Sequence, residues 1–221
     1  FFMKRNVTEL VFLLDRSGSM AGLESDTIGG FNSMLKKQRK GSDRVYVSTV
    51  LFDDRMEVLH DRVPAERVKP LTEKQYSVRG CTALLDAVGR TISHMIRVQK
   101  QAGEGRRGKV IFVITTDGLE NSSREYSYAR IRDMIRWEKE RYGWEFLFLG
   151  ANMDAVAEAS RFGIGADRAV TFQNDPRGIA LNYRVVSETL CRMRQPCAAV
   201  GAEWKKEIEE DVKYRGRRRG R

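Results

Sequence analysis

The chain of 221 residues is 41% apolar, enough to bury the core of one α/β domain. It holds no run of about 18 apolar residues, which argues against a transmembrane helix, and its first residues lack the basic, apolar and small-residue order of a secretory signal. The net charge is +10, and the three irregularly spaced cysteines, Cys81, Cys191 and Cys197, argue against a disulfide framework and for a reducing, cytoplasmic setting.

Residues 1–6 read as an N-terminal extension. Leu10-Val11-Phe12-Leu13-Leu14 is an unbroken apolar run, as a central parallel strand covered on both faces requires. Asp15-Arg16-Ser17-Gly18-Ser19 follows at its end. One carboxylate and two hydroxyls at alternate positions of a loop can point three oxygens into one volume. That ligand set suits a hard divalent cation such as Mg2+. The same residue types also serve ordinary turns and helix caps, so this pattern alone has two readings. Ile28, Phe31 and Leu35 then recur at helical spacing across about Leu23 to Gln38. Val45 to Phe52 and Met56 to His60 flank Asp53-Asp54-Arg55, which predicts a hairpin and one antiparallel edge strand.

Arg79-Gly80-Cys81-Thr82 places a Thr between a turn and a helix marked by Leu85, Val88, Ile92 and Met95. Val110 to Thr115 predicts a second buried strand, which runs into Thr116-Asp117-Gly118. Glu120 and Asn121, just beyond, are expected to cap a helix. Tyr128, Ile131 and Ile135 mark the next helix, and Glu145 to Leu149 a strand. Asn152 or Asp154 is expected to cap a short helix over Ala155 to Phe162. Ala169 to Phe172 reads as a last strand, and Leu181, Val185, Thr189 and Met193 share one face of a last helix. The alternation predicts an α/β fold, a doubly wound, mostly parallel sheet with helices on both faces. Loops that leave the carboxyl ends of such strands share one crevice, so Asp15, Ser17, Ser19, Thr82 and Asp117 are expected to meet there.

Those five residues match, in type and order, a DxSxS, Thr, Asp pattern, and the surrounding DRSGSM, GCTALLDAV and TTDGLEN segments match as well. Over about Val7 to Met193 the chain resembles a von Willebrand factor type A (vWA) domain with a metal-ion-dependent adhesion site (MIDAS), similar to the stand-alone vWA proteins of bacteria and phages. The resemblance implies a Rossmann-like domain over 7–195 and a site for Mg2+ or Mn2+. By the same resemblance Ser17 and Ser19 hold the metal directly, Thr82 directly or through water, and Asp15 and Asp117 mainly through bridging waters. It implies further a non-catalytic intracellular adaptor whose protein partner supplies an Asp or Glu carboxylate. Neutral nearest ligands leave a cation much of its charge, which gives it a chemical reason to seek that carboxylate.

Two other functions have some footing in the residues. A metal-dependent phosphohydrolase also keeps an Asp at a strand end. Here, however, the residues two beyond Asp15 and Asp117 are Ser17 and Leu119, so neither loop supplies the second carboxylate of a DxD pair. Cys81 has no partner motif in His60 or His94. The segment 196–221 reads as an extension ending in a basic tail. Lys213, Arg215, Arg217, Arg218, Arg219 and Arg221 concentrate charge there, and Gly216 and Gly220 are expected to interrupt any helix and leave the tail flexible. Lys213 to Arg221 could hold nucleic acid electrostatically, but it has no stacking platform beyond Tyr214.

Overall fold

The computed structural model describes residues 7–41, 43–103, 107–195 and 198–219. Strand β1 (Val7–Asp15) is the spine of a six-stranded sheet. It pairs in parallel with β2 (Arg44–Phe52) on one side. Beyond β2, β3 (Met56–Pro64) forms the antiparallel edge. On the other side β1 pairs in parallel with β4 (Lys109–Thr116), and β5 (Glu145–Ala151) and β6 (Ala169–Phe172) continue in parallel.

A strand sends successive side chains to opposite faces, so Leu10, Phe12 and Leu14 enter one core while Val11 and Leu13 enter the other. The first core is closed by α1 (Glu24–Gln38), α5 (Pro176–Met193) and α6 (Lys206–Arg219), through Phe31, Ile179 and Ile208 among others. The second is closed by α2 (Leu84–Ala102), α3 (Tyr128–Tyr142) and α4 (Ala155–Arg161), through Val88, Ile131 and Ala159. Cover on both faces is why β1 reads as continuous rather than alternating hydrophobicity.

The hairpin is longer than the sequence suggests, because β3 runs four residues past His60 to Pro64. An irregularity in its register near Val47 and Thr49 accompanies Arg62, which takes a φ of 50°. Its guanidinium is held by the buried Glu9 carboxylate at 2.7 Å.

The C-terminal segment corrects the expectation of a flexible tail. α6 passes through Gly216 and ends at Arg219. A helical glycine costs only about 1 kcal/mol. Against that, Trp204 and Ile208 are buried in the first core, and Lys205–Glu209, Lys206–Glu210 and Asp211–Arg215 pair at i,i+4 spacing along the helix. The Trp204 indole also donates to the Asp167 carbonyl at 2.7 Å. The segment set apart as an extension thus packs on the same sheet as the rest. Residues 1–6, Cys197, Gly220 and Arg221 lie outside the described residues. Among the described residues, no helix is long and apolar enough to cross a membrane.

Candidate metal centre

The chain passes from β1 to β2 on one side of the sheet and later to β4 on the other. This reversal opens a crevice at the carboxyl ends of β1 and β4, where ligands of doubly wound sheets sit.

Asp15, the last residue of β1, turns its carboxylate back into the protein. Oδ1 accepts the Ser17 N–H at 2.7 Å, and Oδ2 accepts the Thr116 hydroxyl at 2.6 Å. One side chain therefore folds the DxSxS loop and ties it to the end of β4. Tyr76 donates its hydroxyl to the Asp15 carbonyl at 2.5 Å. Gly18 N–H donates to the Gly80 carbonyl and Arg79 N–H to the Arg16 carbonyl, which lays the segment before Thr82 along the same loop.

Thr82 is fixed from the third loop. Its N–H donates to Asn121 Oδ1 at 2.9 Å, the Leu85 N–H to Glu120 Oε2 at 2.8 Å, and the Asp86 N–H to the Ser123 hydroxyl at 3.0 Å. Asp86 in return accepts the N–H groups of Arg124, Glu125 and Tyr126. The segment following Asp117 thus satisfies the donors that α2 leaves free at its start. Glu120 caps a helix, as expected, but the one that follows Thr82, whereas Asn121 holds the Thr82 N–H ahead of that helix. Asp154 caps α4 locally, accepting the Ala157 N–H.

The five expected residues come together. The Ser17 and Ser19 hydroxyls lie 3.2 Å apart, and Ser19 donates to Asp117 Oδ1 at 2.5 Å. A Cβ placed on Gly118 would lie 3.0 Å from Thr82 Oγ1, 3.6 Å from Ser19 Oγ and 3.8 Å from Ser17 Oγ. Three hydroxyls therefore face one small space that glycine leaves open, with the two carboxylates alongside. An all-oxygen donor set of this kind fits a hard dication. Among the described residues there is no group of three His, Cys, Asp or Glu side chains that would favour another metal chemistry.

The charges point the same way. Burial raises the Asp15 carboxyl above its ordinary range, opposed by hydrogen bonds from Ser17 and Thr116. Burial pushes Asp117 up to about 6, opposed by Ser19 and reinforced by the nearby Asp15 charge. Two like charges buried near each other hold their protons more tightly, and a dication bound nearby would favour their release.

Beneath the loop, Arg16 is 2% exposed and pairs with the fully buried Asp53 at 2.8 Å and with Glu57 at 2.7 Å. Arg79 reaches the same Asp53 oxygen at 3.0 Å. Burial works to raise Asp53, but these guanidiniums and the Arg55 N–H hold its carboxyl below the usual range. The β2–β3 hairpin is thereby fastened to the DxSxS loop. His60 bonds Thr49 and His94 pairs with Asp61, so neither is engaged with the five residues.

Solved structures share this architecture. The proximal thread matrix protein 1 of the mussel byssus, in a form with a zinc-occupied MIDAS motif, superposes with a TM-score of 0.60 at 16% identity over 85% of this chain and 46% of that one. The von Willebrand factor type A protein of Catenulispora acidiphila superposes with a TM-score of 0.53 at 16% identity over 82% of this chain and 42% of that one. The fold is that of a vWA domain. This chain spans a little under half the length of those vWA structures. No protein-family model matches the chain, and no curated protein matches it in sequence.

One residue of the vWA crevice escaped the sequence reading. Asn174 lies two residues past β6 and donates its Nδ2 to Asp117 Oδ2 at 3.0 Å. Its Oδ1 is buried without a hydrogen-bond partner among the described residues. The available signal was position alone, since any residue just past a parallel strand lies on this rim.

Proposed function

We propose that the chain is a divalent-metal-dependent protein-binding module that recognises an Asp or Glu side chain of a partner. The observation that carries this reading is the open space above Gly118, faced by the Ser17, Ser19 and Thr82 hydroxyls. In it, Ser17, Ser19 and Thr82 would hold Mg2+ or Mn2+, while Asp15 and Asp117 lie alongside. A bound dication would supply a Lewis-acidic position for an external carboxylate oxygen. The chain's own task is to orient: Asp15 and Asn121 fix the loops bearing the serines and the threonine, and Asn174 fixes Asp117. The zinc-occupied MIDAS of the mussel protein lends support, as a vWA fold that holds a divalent ion at such a motif.

We read the module as non-catalytic because neither Asp loop carries the second carboxylate of a DxD pair and both histidines are engaged elsewhere. We place the chain in a reducing, cytoplasmic setting on its odd number of irregularly spaced cysteines. The test is capture of a partner from the native cell in Mg2+, elution with EDTA, and reconstitution of the purified pair. Binding should require metal, weaken in Thr82→Ala, and fall when one Asp or Glu of the partner becomes Ala. Full affinity in chelator would place the partner elsewhere.

A further inference from the structure

At the opposite pole of the sheet, before the amino end of β4, a groove of about 580 Å3 lies between the C-terminal turns of α2 and α3. Its wall is aromatic. Trp137 is 59% exposed and Tyr142 40% exposed, while the buried Trp144 is backed by Phe112, with ring centres 5.7 Å apart. Its rim is cationic. Lys100 lines it, the Arg107 guanidinium stands 4.7 Å over the Tyr142 ring, and that of Arg141 stands 6.0 Å from the Trp137 ring centre.

The groove is also lined by Glu138, which is 3% exposed and makes no side-chain hydrogen bond among the described residues. Arg107 Nε is buried and has no hydrogen-bond partner among the described residues. Buried polar atoms are nearly always paired, because leaving one unpaired costs the full loss of its hydration. Here a carboxylate without a side-chain hydrogen bond, faced by the Lys100 and Arg107 charges, and a buried guanidinium N–H without a partner among the described residues border the same accessible groove between exposed rings. That combination suits a ligand with a flat apolar body, hydrogen-bond donors on one edge and negative charge at its end.

We propose that this groove binds a guanine nucleotide. Guanine presents N1–H and its amino group side by side, two donors matched to the two oxygens of the Glu138 carboxylate. Adenine and cytosine each set a ring acceptor beside the amino group, and that acceptor would meet Glu138 with like polarity. The Trp137 and Tyr142 rings offer stacking surface to the base, and Arg107 and Lys100 offer charge-assisted hydrogen bonds to the phosphates. The site is separate from the metal centre and uses none of its residues.

The test is titration of the full chain with GDP, read by tryptophan fluorescence and by calorimetry, in EDTA so that no cation at the metal centre can hold phosphate. GDP should saturate, and ADP should bind about tenfold or more weakly, as loss of a bidentate base contact predicts. Guanosine and inorganic phosphate, tried separately, should each bind far more weakly than GDP. Trp137→Ala, at an exposed position outside both cores, should weaken GDP at least about fivefold through lost stacking. Glu138→Gln should abolish the preference over ADP. Absence of saturable GDP binding, equal affinity for ADP, phosphate binding as tight as GDP, or unchanged affinity in Trp137→Ala would each overturn the proposal. Should Glu138→Gln fail to fold, the ADP comparison and Trp137→Ala decide.

Discussion

Gly118→Ala offers the sharpest separation of metal binding from folding. Gly118 does not occupy the left-handed region, so alanine fits its backbone. The new methyl would lie 3.0 Å from Thr82 Oγ1, close enough to displace it by a few tenths of an ångström. Mild overpacking of this kind costs about 1 kcal/mol, and the loss of glycine's freedom in the unfolded chain returns about 0.4–1 kcal/mol. The stability of the metal-free protein should therefore change by less than about 1 kcal/mol. Metal binding should not survive. Mg2+ lies about 2.0–2.1 Å from its ligand oxygens, so a cation shared by the three hydroxyls and the alanine methyl would need the same space. For a site of about millimolar affinity, about 10 mM Mg2+ stabilises the wild-type chain by about 1.4 kcal/mol. In a domain of this size that raises Tm by roughly 3–6 °C. Calorimetric titration and thermal scans with and without Mg2+ measure both quantities. A wild-type Mg2+ increment in Gly118→Ala would refute the assignment of the cation to this space.

Three further outcomes follow from the same geometry. In the metal-free protein Asp117 binds its proton up to about pH 6, above its unfolded range, so its burial costs most when the carboxylate is charged and relaxes as pH falls through that value. The thermal increment given by Mg2+ should therefore shrink between about pH 7 and 5, because the cation competes with that proton; scans across this range would show it, and a constant increment would contradict it. Arg16→Met removes one of two guanidiniums from the fully buried Asp53 and should cost about 3–5 kcal/mol in chemical denaturation, as breaking a buried ion pair does. Trp204→Ala should cost about 3–5 kcal/mol by the same measurement, because the indole fills the first core and bonds Asp167; a loss below about 1 kcal/mol would show that the C-terminal segment is dispensable.

Much of the architecture was legible because it rests on periodicity. The unbroken run at Leu10 to Leu14 reads as a strand covered on both faces, and β1 is that strand. The five candidate residues were legible as strand-end and loop positions whose spacing and type match a pattern, and the sheet order brings them together. What stayed hidden depends on contacts between distant segments. Asn174 has no pattern of its own, and only the bond to Asp117 gives it a role. The ion pairs of Arg16 look in sequence like loop charge, yet that side chain is almost wholly buried. α6 was missed because Gly216 and a run of arginines outweighed Trp204 and Ile208, two residues whose value depends on a sheet that the local sequence does not show.

The way α2 is capped sets an order of events during synthesis. Thr82 and the helix behind it leave the ribosome well before Glu120, Asn121 and Ser123, the residues that hold their amides. Until those residues emerge, the start of α2 lacks these partners and Thr82 has no fixed direction, so the crevice is among the last parts of this half of the sheet to be completed. The full set of hydroxyls in which the proposed function seats a dication therefore exists only after β4 and the loop beyond it have been made.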